Sequence, residues 1–119
     1  MAIEFAIEGR RLPGDVHVVA VTGEIDLFTA PEFKQSMRKP IDEGVGRLIV
    51  DLSETTFIDS SSLGVLIGAQ RRLKQRNGNL VVVCDNDAIV KTFKITGLDS
   101  VFTLFPSLGD ARDAVGAGG

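Results

Sequence analysis

The sequence predicts an α/β domain with a mostly parallel central β-sheet, an antiparallel strand at its N-terminal side, and about four flanking helices. Three observations carry that prediction. The runs Leu48-Ile49-Val50 and Leu80-Val81-Val82-Val83 are apolar without alternation, as in strands covered on both faces. Segments of helical period separate and follow these runs. Near the N-terminus two strand-like segments are joined by a link too short for a crossover, so they pair antiparallel. The resulting order, β-β-α-β-α-β-α-β-α, fits one sheet with helices packed against it.

In Ile3 to Glu8, apolar Ile3, Phe5 and Ile7 alternate with Glu4, Ala6 and Glu8, predicting a strand with one solvated face. Gly9 to Asp15 contains Gly, Pro and Asp and reads as a hairpin connection. Val16 to Thr22 forms the second strand, after which Gly23-Glu24-Ile25-Asp26 leaves the sheet. Thr29 with Glu32 three residues on predicts a capping box at the first helix, with Pro31 tolerated in its first turn. Phe33, Met37 and Ile41 form its apolar stripe, and Pro40 predicts a kink or end near Lys39.

Arg47 to Leu52 is the third strand. The second helix runs from about Ser60 to Arg76, with Leu63, Leu66, Ile67, Gln70 and Leu73 on one face, and Asn77-Gly78 supplies a left-handed cap. Leu80 to Cys84 is the fourth strand. Asp87 caps a third helix, with Ala88, Ile89, Val90 and Phe93 inward and a stop near Gly97. Val101 to Phe105 is the fifth strand, and Ser107 caps a last helix containing Leu108, Ala111 and Val115. Residues 1–115 thus read as a single domain and 116–119 as a flexible Gly/Ala tail.

Composition narrows the functional classes. The chain has 119 residues, 44% of them hydrophobic, enough to build a core. A formal net charge of -3 is the wrong sign for a nucleic-acid footprint. The basic run Arg71-Arg72-Lys74-Arg76 reads as a solvated helix end whose cations complement the dipole. The single cysteine, Cys84, forms no disulfide within the chain and reads as a small hydrophobe in a reducing compartment. No segment is apolar enough to span a bilayer, so the expectation is a cytoplasmic protein without a membrane anchor. There is no phosphate-binding glycine loop, nucleophile elbow or zinc spacing, and the only histidine, His17, falls inside a strand. A binding module without cofactor or metal is a better reading than an enzyme.

The stretch with chemistry to offer is Phe57-Ile58-Asp59-Ser60-Ser61-Ser62-Leu63-Gly64. It places three serines at a helix start, where hydroxyl oxygens accept bonds from unpaired backbone N–H groups. These serines serve as caps or as hydroxyls held up for modification; cap chemistry leaves both open. Glu24 and Asp26 after the second strand, and Asp51, Glu54 and Asp59 around the end of the third, would share one rim with Ser60 if those strands are parallel neighbours.

Gly23-Glu24-Ile25-Asp26, Thr29-Ala30, the segment Phe57 to Leu66 and Val90 to Leu98 together resemble the anti-sigma factor antagonists, bacterial members of the STAS domain family. The resemblance runs in order over nearly the whole chain. Its most specific part is the Asp-Ser-Ser/Thr-x-Leu-Gly segment. It implies a STAS-like fold and a partner-switching role in transcription regulation, of the kind used in stress response and sporulation. Such a protein binds an anti-sigma factor that is also a serine kinase, and so frees the sigma factor. The kinase phosphorylates the first serine after the motif aspartate, here Ser60, with Ser61 and Ser62 as alternatives, and a serine phosphatase reverses the step. The partner-facing set is then Glu24, Asp26, Thr29, Asp59, Ser60, Ser61, Ser62, Leu63 and Gly64. Ser62 stands where the family usually has glycine. A constitutive scaffold, or a module that senses a small ligand, is the competing reading.

Overall fold

The structure of the protein, a computed structural model, describes residues 4–116. Five strands form one sheet in the order of the chain: β1 (Ala6–Leu12), β2 (Val16–Ile25), β3 (Arg47–Ile58), β4 (Asn79–Val83) and β5 (Leu104–Phe105). The β1–β2 pair is antiparallel, and the other three pairs are parallel. Four helices, α1 (Ala30–Asp42), α2 (Ser60–Lys74), α3 (Asp87–Ile95) and α4 (Leu108–Val115), complete the fold, with a single 3-10 turn at Leu98–Ser100.

The two sheet faces are covered unequally. Val19, Val21, Leu48, Val50, Leu80 and Val82 form one face of the sheet and pack with Phe33 and Met37 of α1, Leu66 of α2 and Phe93 of α3. The opposite face, with Val16, Val18, Ile49, Val81 and Val83, is closed by Ala111 and Val115 of α4. The central strand β3 is therefore apolar on both sides, which is why its first half shows no alternation.

Several elements depart from the expected boundaries. β1 runs through Leu12, and only Pro13 to Asp15 forms the turn, with Gly14 and Asp15 at positive φ. Pro40 does not end α1; the helix continues to Asp42, because Glu43 N–H still reaches the Lys39 carbonyl at 3.1 Å. Thr29 precedes α1 but makes no capping bond to it, so the expected box with Glu32 is absent. Asn86, not Asp87, caps α3, its Oδ1 accepting from the Ala88 N–H, and Ala88 is exposed. β5 holds two residues instead of five. Phe102 leaves the sheet to pack edge-on against Phe93, ring centroids 6.0 Å apart, and burying that ring outweighs extending a strand. Gly116, assigned to the tail, is the left-handed C-cap of α4, and residues 117–119 lie outside the described residues.

The departure with most consequence is the length of β2 and β3. Both extend beyond the expected ends at Thr22 and Leu52, to Ile25 and Ile58. Their pairing shifts twice, since Ala20 and Thr22 face Asp51 and Glu54, and Gly23 and Glu24 face Thr55 and Phe57. Each shift places one extra residue in β3, and such bulges re-aim side chains beyond them. The buried Thr55 hydroxyl, donating to the Val21 carbonyl at 2.8 Å, ties the bulged stretch together.

Candidate functional site

Ile25 and Ile58 face each other at the ends of β2 and β3, so Asp26 and Asp59 leave the sheet side by side. Each aspartate begins the same local construction. Asp26 Oδ1 accepts from the N–H groups of Phe28 at 2.9 Å and Thr29 at 3.0 Å, while Thr29 Oγ1 accepts from Asp26 N–H at 2.9 Å. Asp59 Oδ1 accepts from Ser62 N–H at 3.1 Å, and Ser62 Oγ accepts from Asp59 N–H at 3.3 Å. Both are reciprocal Asp-x-x-hydroxyl boxes. Each hydroxyl spends its own proton on a main-chain carbonyl of β2, Thr29 on Glu24 at 3.0 Å and Ser62 on Ile25 at 2.6 Å.

That arrangement separates the three serines. Ser62, at 0% exposure, is the capping partner of Asp59 and the bridge to β2. Ser61, the second residue of α2, is half-buried, and Ser60, the first, is exposed. The added hydroxyl at position 62 is absorbed by the Ile25 carbonyl and gives nothing to the surface. Leu63 likewise belongs to the core, whereas Gly64 is exposed with open space around it.

The two junctions also carry exposed apolar side chains. Leu27 and Phe28, between Asp26 and Thr29, are 68% and 88% exposed, and Phe57, just before Ile58, is 46% exposed. Leu27-Phe28 was visible in the sequence as an apolar pair outside any helical or strand period. Phe57 opens the serine motif, and only the strand register, which buries Ile58, shows that the Phe57 ring faces outward.

The carboxylates are not all gathered. Glu24 is exposed and Asp26 partly so beside Asp59, as expected for parallel neighbours. Asp51 and Glu54 are not on this rim. The extension of β3 leaves Asp51 opposite Ala20 and Glu54 opposite Thr22, and Asp51 Oδ1 accepts from Ser53 N–H at 3.0 Å and Ser53 Oγ at 2.6 Å. The Thr29 N–H, foremost among its donors, holds the Asp26 carboxyl below the usual carboxylate value. His17 sits at the start of β2 opposite Leu48, remote from Ser60, its pKa lowered by burial and then by Arg11. Burial, with Asp85 beside it, pushes the Cys84 thiol up to about 11, so it is not an activated nucleophile. No group of three metal-ligating side chains and no helix long and apolar enough to cross a membrane occurs among the described residues.

Fold and site together define a small α/β domain that displays a serine at a helix start on the carboxyl edge of its sheet. The STAS domain family matches residues 10–111. The chain is 35% identical to the anti-sigma-B factor antagonist of Listeria monocytogenes over 86% of its own length and 90% of the relative's. Among solved structures it is similar to an anti-sigma factor antagonist from Mycobacterium paratuberculosis, with 33% identity, TM-score 0.82, and 96% and 94% of the two chains covered. It also shares the fold of the Bacillus cell fate determinant SpoIIAA in its phosphorylated form, at 22% identity and TM-score 0.73 over 92% and 99% of the two chains. The chain belongs to the STAS domain family.

Proposed function

We propose that this protein is an anti-sigma factor antagonist. In this reading it binds an anti-sigma factor that is also a serine kinase, frees the sigma factor, and is released when the kinase phosphorylates Ser60. A serine phosphatase restores the binding form, and the exchange takes place in the cytoplasm. The observation that carries the reading is the exposure of Ser60 on the first turn of α2, directly after Asp59, at a strand end paired with the one that leads into Asp26, with Phe28 and Phe57 exposed at the same two strand ends. The names of the relatives support it. Ser62 drops out as acceptor because its hydroxyl is buried and committed to Ile25.

The switch follows from charge. A phosphoryl group adds about -1.5 to -2 charges at pH 7, and at a helix N-terminus the dipole favours it by about 0.3–1 kcal/mol. Folding therefore tolerates it. Within an interface beside Asp26 and Asp59 the same charge meets repulsion and loses water, at a cost of about 2–5 kcal/mol. Partner affinity falls by about 30-fold or more while the fold is kept.

The test uses the kinase co-purified from the native cell. Intact mass after incubation with ATP should show one phosphate on the parent and none on Ser60→Ala, which still binds. Ser60→Asp should bind at least about 30-fold more weakly with an unchanged melting temperature. Full binding by Ser60→Asp, or a phosphate that persists in Ser60→Ala, would overturn Ser60 as the switch.

A further inference from the structure

Beyond the serine face, α1 and α2 enclose a groove of about 610 Å³ that begins at Ser61 and runs away from Ser60 along both helices. Its walls carry Lys34 and Arg38 from α1 and Arg71 and Arg72 from α2. The helix α2 contains no acidic residue at all. Arg72 is paired with Asp42 across the groove, which braces the walls, but Lys34, Arg38 and Arg71 form no ion pair among the described residues. In a chain of net charge -3 this is a local concentration of cations. The floor is different in kind: Gly64 and Gly68, one turn apart, leave open space where side chains would stand, with Met37 and Val65 beside them.

We infer that this groove docks an acidic amphipathic helix or segment of the protein partner, its carboxylates on Lys34, Arg38 and Arg71 and its apolar side chains on the glycine floor. Charge complementarity selects an anion. The concave apolar floor selects a peptide, since a helix laid in a groove needs apolar anchors between its charges and a phosphate backbone has none. Glu24, Asp26 and Asp59 at the Ser60 end oppose a nucleic acid or an anionic bilayer continuing in that direction. The inference rests on the reading of the Ser60 face as a partner surface, because the groove continues from that face and extends the contact beyond the switch.

The probe is a fluorescent helical peptide with Leu on one face and Glu on the other, titrated with the full chain and read by anisotropy. A second peptide with Lys in place of Glu, phosphatidylglycerol vesicles and a single-stranded RNA oligonucleotide are the comparisons. The acidic peptide should bind, the others should not, and Arg38→Glu combined with Arg71→Glu should weaken it at least about tenfold. Gly68→Leu replaces an exposed helical glycine with a better helix former, so folding is not at risk, yet it fills the floor and should also weaken the peptide. Failure of the acidic peptide to bind the parent, equal binding by the variants or by the Lys peptide, or binding of vesicles or RNA in its place would overturn the inference. The assay contains neither kinase nor ATP. Ser60 can therefore fail as the switch while the groove binds its peptide, and the reverse result is equally distinguishable.

Discussion

The strand-to-helix junctions Asp26–Thr29 and Asp59–Ser62 are built alike and used differently. In both, an aspartate and a hydroxyl three residues on exchange bonds with each other's backbone N–H, and the hydroxyl proton returns to a β2 carbonyl. Both ends of each box are thereby consumed by structure. The side chains of the two residues between them take no part in the box, and there the junctions part: Leu27-Phe28 in one, Ser60-Ser61 in the other. One junction holds out apolar surface and the adjacent one an exposed hydroxyl. In the proposed function the first anchors a partner and the second controls whether the anchor is used.

The sharpest way to break this comparison is to remove the anchor. Phe28→Ala should leave the melting temperature unchanged, since the ring is 88% exposed, while weakening partner binding by about 30-fold or more as buried aromatic anchors do. Unchanged affinity, measured by titration against the kinase, would remove Phe28 from the interface. Next in size is the structural hydroxyl of the second box. Ser62→Ala loses a cap and leaves the Ile25 carbonyl without its buried donor, at a cost of about 2 kcal/mol or about 8 °C or more in melting temperature. Phosphate uptake at Ser60 should survive where the variant remains folded.

Thr29→Ala tests the same role in the more open junction. Because Thr29 is only partly buried, the loss should be nearer 1 kcal/mol, and a cost equal to that of Ser62→Ala would show that the two boxes are not graded by burial. The smallest effect concerns pH. The folded state holds the Asp26 carboxyl below its ordinary 3.8, so its contribution to stability is complete above that value and is lost as pH falls through the lower folded value. Melting curves of parent and Asp26→Asn should therefore differ near neutrality and converge in acid below about pH 4. A difference that grows in acid would contradict the hydrogen-bond account.

Much of the fold was legible because it is local. Continuous apolar runs marked β3 and β4, helical period marked all four helices, and Asn77, found at φ 59, marked the turn after α2. The boundaries that failed did so for non-local reasons. Ser53-Glu54-Thr55-Thr56 is too polar to read as sheet, yet it is strand because β2 runs beside it and the Val21 carbonyl accepts the Thr55 hydroxyl. Val101-Phe102 reads as strand, yet Phe102 is drawn into the core by Phe93. Thr29 with Glu32 had the spacing of a capping box, but Asp26 competed for the same hydroxyl and took it.

At the site, the sequence alone determined which residue types stand at the carboxyl edge. It supplied two aspartates, three serines at a helix start and the order that makes β2 and β3 parallel neighbours, all set by local propensity and chain order. Which serine is available was decided by tertiary structure. Ser60, Ser61 and Ser62 are chemically identical, and the packing of α2 on the sheet, with the Ile25 carbonyl arriving from the neighbouring strand, turns the third inward and leaves the first in water. Burial, unlike helix capping, depends on what the rest of the chain brings to the same place.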